Sequence, residues 1–553
     1  MVMQALRRNP SRDQVVVGRS IPAPVGGWDA QNPLAAMPAE NAPILDNFIP
    51  RAGYVEMRKG YAEWSPTESP VETVIVWRGS TTGADQIHSA AGSEIIDTTN
   101  PYGSTVLYSG AGNARWQYVN FSNDAGRFVF AVNGANIPVT YDGTAYVNRT
   151  ITGSVGPIVL DPTTISDVMA HKRRIFLLEE GSMRVWFLDV NAIQGTAQLL
   201  DLGPVFQKGG RLSCMATWSL DAGDGPDDYA VFVTTEGEVA VYAGEDPSDA
   251  TNWSLIGVFA LGNPLGKRAL FKYGADLAIL TVDGVFPLSQ ALSLDRAQSN
   301  LVAVTQKIMN AFSLATTRYG SNFGWSGMLY ARGTLAIFNV PTSQGVLADQ
   351  YVQNVQTGAW ARFTGIPAIC WAIANDRPYF GSSTGIYEWD VGASDNGAEI
   401  VGDLKTAFNY FGQRGKLKQF TMLRPLIRAD QDVRPALEML VDYKEAIPTA
   451  IPTVIAVPEA MWDEAIWDES FWPTEEEIRN DWTSVTGIGY CGSVRMRVST
   501  GVGAGVYLAV DDEDLVAWDA DADDLILIQP LSTSTVSIQV IAFDVMFQPG
   551  GQL

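Results

Sequence analysis

The stretch RIFLLEEGSMRVWFLDV (Arg174–Val190) decides how the chain is to be read. An apolar strand runs into a turn with glycine near its centre and returns as a second apolar strand. YAVFVTTEGEVAVYAG (Tyr229–Gly244) and DLAILTVDGVFPLS (Asp276–Ser289) repeat the scheme. Glycine belongs at these centres because hairpin turns need positive φ, which it reaches without steric cost. Looser copies follow in FVFAVNGANIPVTYDG (Phe128–Gly143), TLAIFNVPTSQG (Thr334–Gly345) and RPYFGSSTGIYEWD (Arg377–Asp390). Most units recur at roughly 45 residues, the spacing of a propeller blade. The expectation is an all-β chain whose residues 61–395 form a β-propeller of roughly six to eight blades.

Working outward, TVIVWRG (Thr73–Gly79), STVLYSG (Ser104–Gly110) and RWQYVNFS (Arg115–Ser122) read as the first blade. Ser293–Thr316 is the one helix candidate. Leu301, Val304, Ile308 and Phe312 fall at spacings of three to four, and Ser293 or Asp295 could cap it. Residues 1–60 read as an extended arm ending in a first strand, with Trp28, Leu34, Met37, Ile44, Leu45, Phe48 and Ile49 irregularly spaced. Such an arm is laid across its own domain or a neighbouring subunit. After the polar stretch Asp390–Ile400 the pattern changes. KTAFNYFG (Lys405–Gly412), KQFTMLRPLIRAD (Lys418–Asp430), ALEMLVDYKEA (Ala436–Ala446), YCGSVRMRVST (Tyr490–Thr500) and STVSIQVIAFDVMFQP (Ser534–Pro549) read as longer strands. Residues 396–553 are therefore expected to form an antiparallel, β-sandwich-like domain.

Acidic residues number 61 against 37 basic ones, a net charge of −24. This balance repels phosphate backbones and argues against nucleic-acid binding through a basic patch. It suits solubility, or a surface past which nucleic acid slides without sticking. Cys214, Cys370 and Cys491 lie far apart in apolar surroundings, as buried reduced thiols do in a chain folded in a cytoplasm. No apolar run reaches the length of a membrane span, and MVMQALRRNPSRDQ lacks the apolar core of a secretory signal.

Chemistry-bearing motifs are few. His88 and His171 are the two histidines, and neither has a nucleophile-elbow context; HKRR around His171 reads as a polar turn. No catalytic residue, cofactor or metal ligand is assigned. DAGDGPDD (Asp221–Asp228) and DDEDLVAWDADADD (Asp511–Asp524) carry carboxylates at tolerable calcium-loop spacing, but the second lacks the turn glycine and distal Glu of an EF-hand. Solvated hairpin turns explain both better. VGGWD near Gly26 lacks the Lys-Ser/Thr of a phosphate loop. Trp462, Trp467 and Trp472 recur every five residues, as a loop plugging a domain edge, as exposed anchors for a partner, or as rings for sugars. Together with Trp28 and Phe48 of the arm they are the candidate interface residues.

Four segments carry a likeness across nearly the whole chain: the arm GGWDAQNPLAAMPAENAPILDNFIPRAGYVEMRKGY, HKRRIFLLEEGSMRVWFLDV, LKTAFNYFGQRGKLKQFTMLRPLIRAD, and WDEAIWDESFWP with SVRMRV and IQVIAFDVMFQPGG. In this order they resemble the tail hub (nozzle) proteins of short-tailed, podovirus-type bacteriophages. The resemblance implies a non-enzymatic virion protein, assembled in the host cytoplasm as a ring of about six copies. It would lie below the portal and its head-to-tail adaptor, carry tail fibres or spikes, and let DNA pass without specific binding. The alternative is a carbohydrate-binding or glycan-hydrolysing phage tail propeller. Abundant Asp and Glu make chance carboxylate pairs inevitable, so the sequence selects no catalytic pair for it.

Overall fold

The computed structural model describes residues 16–80, 83–101, 103–221, 226–292, 296, 302–430, 432–449, 452–455, 477–501 and 537–549. These fall into two compact units, with the chain crossing between them at Met57/Arg58 and Ile400/Val401.

The larger unit, Arg58–Ile400, is a β-propeller. Among the described residues it has seven blades, each built on an antiparallel sheet whose strands follow in chain order, except that blade 7 takes its fourth strand from the start of the unit. Their first strands are Val71–Trp77, Gln117–Asn123, Ile165–His171, Leu212–Asp221, Leu270–Tyr273, Ser326–Tyr330 and Cys370–Ala374. The hairpins quoted first become the second and third strands of blades. Arg174–Glu179 pairs with Arg184–Phe187, and Pro226–Thr234 with Glu238–Gly244. Their turns hold Gly181 at φ 72° and Gly237 at φ 75°, where a side chain would be strained.

Apolar residues of facing sheets interdigitate between blades. Ile75, Trp77 and Ala90 of blade 1 share a core with Trp116 and with Val129 and Ala131 of blade 2. Phe176 and Phe187 of blade 3 meet Phe232 and Tyr242 of blade 4. Burying each such side chain contributes roughly 1.5–3 kcal/mol, so the stability of the ring lies largely between its blades.

Ring closure uses distant parts of the chain. Tyr61–Pro66 pairs antiparallel with Gly385–Trp389 and supplies the fourth strand of blade 7. Val71, Val74 and Val76 of blade 1 then pack on Cys370, Ala372 and Ala374 of blade 7. The guanidinium of Arg58, just before the closing strand, donates to both carboxylate oxygens of Asp395 at 2.8 and 2.6 Å and to the Thr364 carbonyl at 2.9 Å. It is fully buried.

Three local expectations are corrected. RWQYVNFS opens blade 2 rather than continuing blade 1, because Gln117–Asn123 pairs with Gly126–Val132. The helix is Met309–Tyr319, preceded by a tight 3-10 turn over Val304–Ile308. Ser293 and Asp295, expected to cap it, lie outside the described residues. The start is displaced because the buried Thr305 hydroxyl accepts from the Val285 amide, pinning this segment to the last strand of blade 5. Among the described residues blade 5 has three strands, and the helical segment packs against the last of them. The strand expected over Lys405–Gly412 ends at Lys405. Beyond it, the Asn409 side chain accepts from the Phe411 amide and turns the chain.

The smaller unit joins the arm to the C-terminal strands. The twelve-residue strands Lys418–Ala429 and Ile538–Pro549 pair antiparallel at its centre. Arm strands Val17–Pro22 and Val55–Met57 both pair with Ile538–Pro549. A second sheet contains Ile44–Asp46, Val401–Lys405, Gly492–Ser499 and Ala436–Val441. The sheets face each other closely: a Cβ added to Gly492 would lie 2.9 Å from the Phe420 ring on the opposite sheet. The arm is thus part of this sandwich-like unit, whereas the sequence suggested a separate piece over residues 1–60 and a domain over 396–553.

Candidate functional site

The first strands of most successive blades touch around the propeller, so the residues at their starts define one mouth of its axis. Several of these positions tie neighbouring blades together. The Thr73 hydroxyl accepts from the Trp116 amide at 3.0 Å and donates to the Ala114 carbonyl at 2.7 Å. Asp167 does the same between blades 3 and 4, accepting from the amides of Val168 and Met215, both at 2.9 Å. Burial nevertheless dominates at Asp167 and pushes its carboxyl up to about 7.

Arg268, two residues before the first strand of blade 5, crosses this mouth. Its guanidinium donates to the Glu72 carbonyl at 3.0 Å, to the Thr73 hydroxyl at 2.6 Å and to the Trp116 carbonyl at 3.2 Å. It also lies 5.2 Å from the ring centre of Phe323, which precedes blade 6; the Arg115 guanidinium lies 4.2 Å from the same ring. Arg115 in turn donates to the Glu72 carboxylate at 3.0 Å. Lys267 pairs with Glu180 of blade 3 at 2.5 Å. Desolvation pulls the Arg268 guanidinium below its ordinary pKa, and no carboxylate pairs with it among the described residues. The mouth is therefore filled by protein side chains.

Other chemistry-bearing groups are used internally. His88 is fully buried between blades 1 and 2, with Nδ1 at 2.9 Å from the Tyr146 hydroxyl and Nε2 without a hydrogen-bond partner. Burial lowers its pKa to about 4. His171 is buried too, with Nε2 at 3.1 Å from the Gly244 carbonyl. All three cysteines are free and buried; burial raises the Cys214 and Cys491 thiols and pushes Cys370 up to about 11. None is poised as a thiolate nucleophile. Among the described residues no group of three or more His, Cys, Asp or Glu could hold a metal ion, and no helix is long and apolar enough to cross a membrane.

A cleft of about 860 Å³ lies over turns of blades 1 and 2, lined in part by Trp77, Gln86, Arg127, Asp142 and Thr144. Its tryptophan offers little surface for stacking on a sugar. Trp77 is 6% exposed, and Cβ atoms added to Gly79 and Gly143 would come within 2.3 and 2.7 Å of its ring. The glycines are there to let the turns close over the indole.

The expected interface residues divide. Trp28 is 6% exposed and Phe48 fully buried, both within the smaller unit; the Phe48 ring packs against Gly402. Neither presents a ring to a neighbour, because the arm is woven into its own unit. Trp462, Trp467 and Trp472 lie outside the described residues, as do 222–225 and 511–524 of the acidic loops. The mouth residues Arg268, Phe323, Arg115 and Asp167 were missed. The available signal was the basic pair in NPLGKRALF (Asn263–Phe271), placed just before an apolar strand in an acidic chain.

No family model and no curated protein matches the chain. Among solved structures it is similar to BBS1N crystallised with ARL6DN, at 10% identity and TM-score 0.38 over 61% of this chain and 96% of that one. It is also similar to the WD40 domain of Neurospora crassa Pan2, at 10% identity and TM-score 0.32 over 60% and 96%. A third is a Bacteroides uniformis protein described as a 6-phosphogluconolactonase, at 14% identity and TM-score 0.33 over 61% and 92%.

Proposed function

We propose that this chain is a structural subunit of a short-tailed phage tail, a hub that assembles as a ring of about six copies below the portal and its adaptor and bears fibres or spikes. The observation that carries the reading is the filled axis mouth. The mouth of a propeller is a concave place where a small substrate could sit among converging polar groups. Here Arg268 and Phe323 occupy it, and the two histidines and three thiols are buried away from solvent. That favours a scaffold over an enzyme or a small-ligand receptor. The net charge of −24 is compatible with passing DNA without holding it. In this reading the DNA path is formed between copies, since Arg268 and Phe323 occupy one mouth of the propeller's own axis. Electron microscopy of the purified chain with its adaptor tests the proposal. The expected result is a ring with a pore wider than about 20 Å, enough for duplex DNA. A monomer that binds or cleaves glycan would overturn it in favour of the carbohydrate alternative.

A further inference from the structure

In a ring of seven, the fifth blade stands opposite the junction of the first and second. Arg268 enters from the fifth blade, and its three acceptors, the Glu72 carbonyl, the Thr73 hydroxyl and the Trp116 carbonyl, sit at that opposite junction. The adjacent Lys267 reaches Glu180 on blade 3, and Phe323 brings in blade 6. One short segment thus contacts blades that are not its neighbours. Blade-to-blade packing gives each sheet contact with the two beside it and no direct hold across the ring. Thr73 is itself the clasp between blades 1 and 2, so the Arg268 guanidinium bonds to the atom on which that junction depends.

We infer that the segment carrying Lys267 and Arg268 is a cross-ring strap, which couples blade 5 to the junction of blades 1 and 2 and occupies the axis mouth as a ligand supplied by the chain itself. The two carbonyl oxygens, the hydroxyl and the Phe323 face form a receptor for a guanidinium cation, a planar donor that aromatic faces also attract. The inference concerns the isolated chain and stands or falls independently of assembly into a tail.

Amide hydrogen exchange on the full-length chain and on Arg268→Ala tests it. The expected result is exchange quickened on the order of tenfold in Val71–Trp77 and Gln117–Asn123, across the ring from the substitution, as well as beside it. Guanidinium chloride at low millimolar concentration should restore protection in the variant, while sodium chloride should not. Arg268→Lys keeps the charge but lacks the planar fork, and should show the same pattern at smaller amplitude; it provides the reading if the alanine variant does not fold. Faster exchange confined to residues 261–273, or exchange in Arg268→Lys equal to that of the unaltered chain, would overturn the strap. Protection restored equally by both salts would overturn the guanidinium receptor.

Discussion

Two arginines hold the propeller together, and they are held differently. Arg58 is fully buried and meets the Asp395 carboxylate through both of its terminal nitrogens. Arg268 is half-buried and meets two carbonyls and a hydroxyl. The difference follows from position. Arg58 sits where the closing strand enters blade 7, with no water to share its charge, so a carboxylate must be buried with it. Arg268 is desolvated as well, but it bonds to three neutral acceptors and lies against the Phe323 ring, with the Glu72 carboxylate close enough to favour its charge without pairing with it. The propeller thus uses an ion pair where its two chain ends must be locked, and weaker bonds where a single segment bridges an already closed ring.

The sharpest way to break this contrast is Asp395→Asn. It leaves the buried Arg58 guanidinium without its counter-charge and should cost about 3–5 kcal/mol, measured by denaturant unfolding. The paired change Arg58→Met with Asp395→Leu removes both charges and should recover much of that loss. A double variant as unstable as Asp395→Asn would show that the carbonyl contacts, not the charge, make the closure. At Asp395 burial already holds the carboxyl above its usual range despite the arginine, so the pair is costly to keep as well as costly to break.

Acid sharpens a second contrast, between His88 and Asp167. The folded-state pKa of His88 is about 4, below its unfolded value of 6.5, so its contribution is present above pH 6.5 and is lost as pH falls towards 4. Asp167 runs the other way: raised from 3.8 to about 7, it contributes fully below 3.8 and loses that contribution as pH rises to 7. The two effects oppose each other between pH 4 and 6.5. His88→Phe should therefore gain roughly 3 kcal/mol on the unaltered chain between pH 7 and pH 4, while Asp167→Asn should lose ground over the same interval. Unfolding midpoints of the three proteins at both pH values decide this. His171 gives a smaller effect, because its ring nitrogens find partners in the Gly244 carbonyl and the Thr217 hydroxyl.

The same division between local and distant separates what could be read in the sequence from what could not. Each blade's central hairpin was legible, since apolar alternation and a turn glycine are encoded within about fifteen residues. The closure was not. Tyr61–Pro66 pairs with Gly385–Trp389 across more than three hundred residues of chain, and neither strand announces its partner. Gln117–Asn123 was assigned to the wrong blade for a similar reason: strand character is local, but sheet membership depends on which neighbour it pairs with. Arg268 was passed over because an arginine before a strand looks the same whether it points to water or across a ring. Trp28 and Phe48 misled in the opposite direction, since aromatics on an irregular arm look available until the arm is seen inside its own sheets.

Arg268→Ala should destabilise less than Asp395→Asn, by about 2 kcal/mol, because it removes donor and charge together and leaves no buried unpaired ion. A loss equal to that of Asp395→Asn would erase the distinction between lock and strap.

The smallest expected effect lies at blade 5, which among the described residues has three strands where blades 3 and 4 have four. An exposed sheet edge invites pairing with another chain unless something covers it. Here the Thr305 hydroxyl accepts from the Val285 amide at 3.2 Å, and the turn Val304–Ile308 and helix Met309–Tyr319 pack against the last strand of the blade. Thr305→Val keeps the side-chain volume and removes the acceptor, so the Val285 amide loses its partner within a buried site. The cost should be about 1–2 kcal/mol in denaturant unfolding, well below that of either arginine contact. Exchange should rise at Val285 while the closing strand Tyr61–Pro66 keeps its protection. If protection fell at the closing strand as well, covering one edge and locking the ring would be a single function, and the division drawn between the two arginines would not hold.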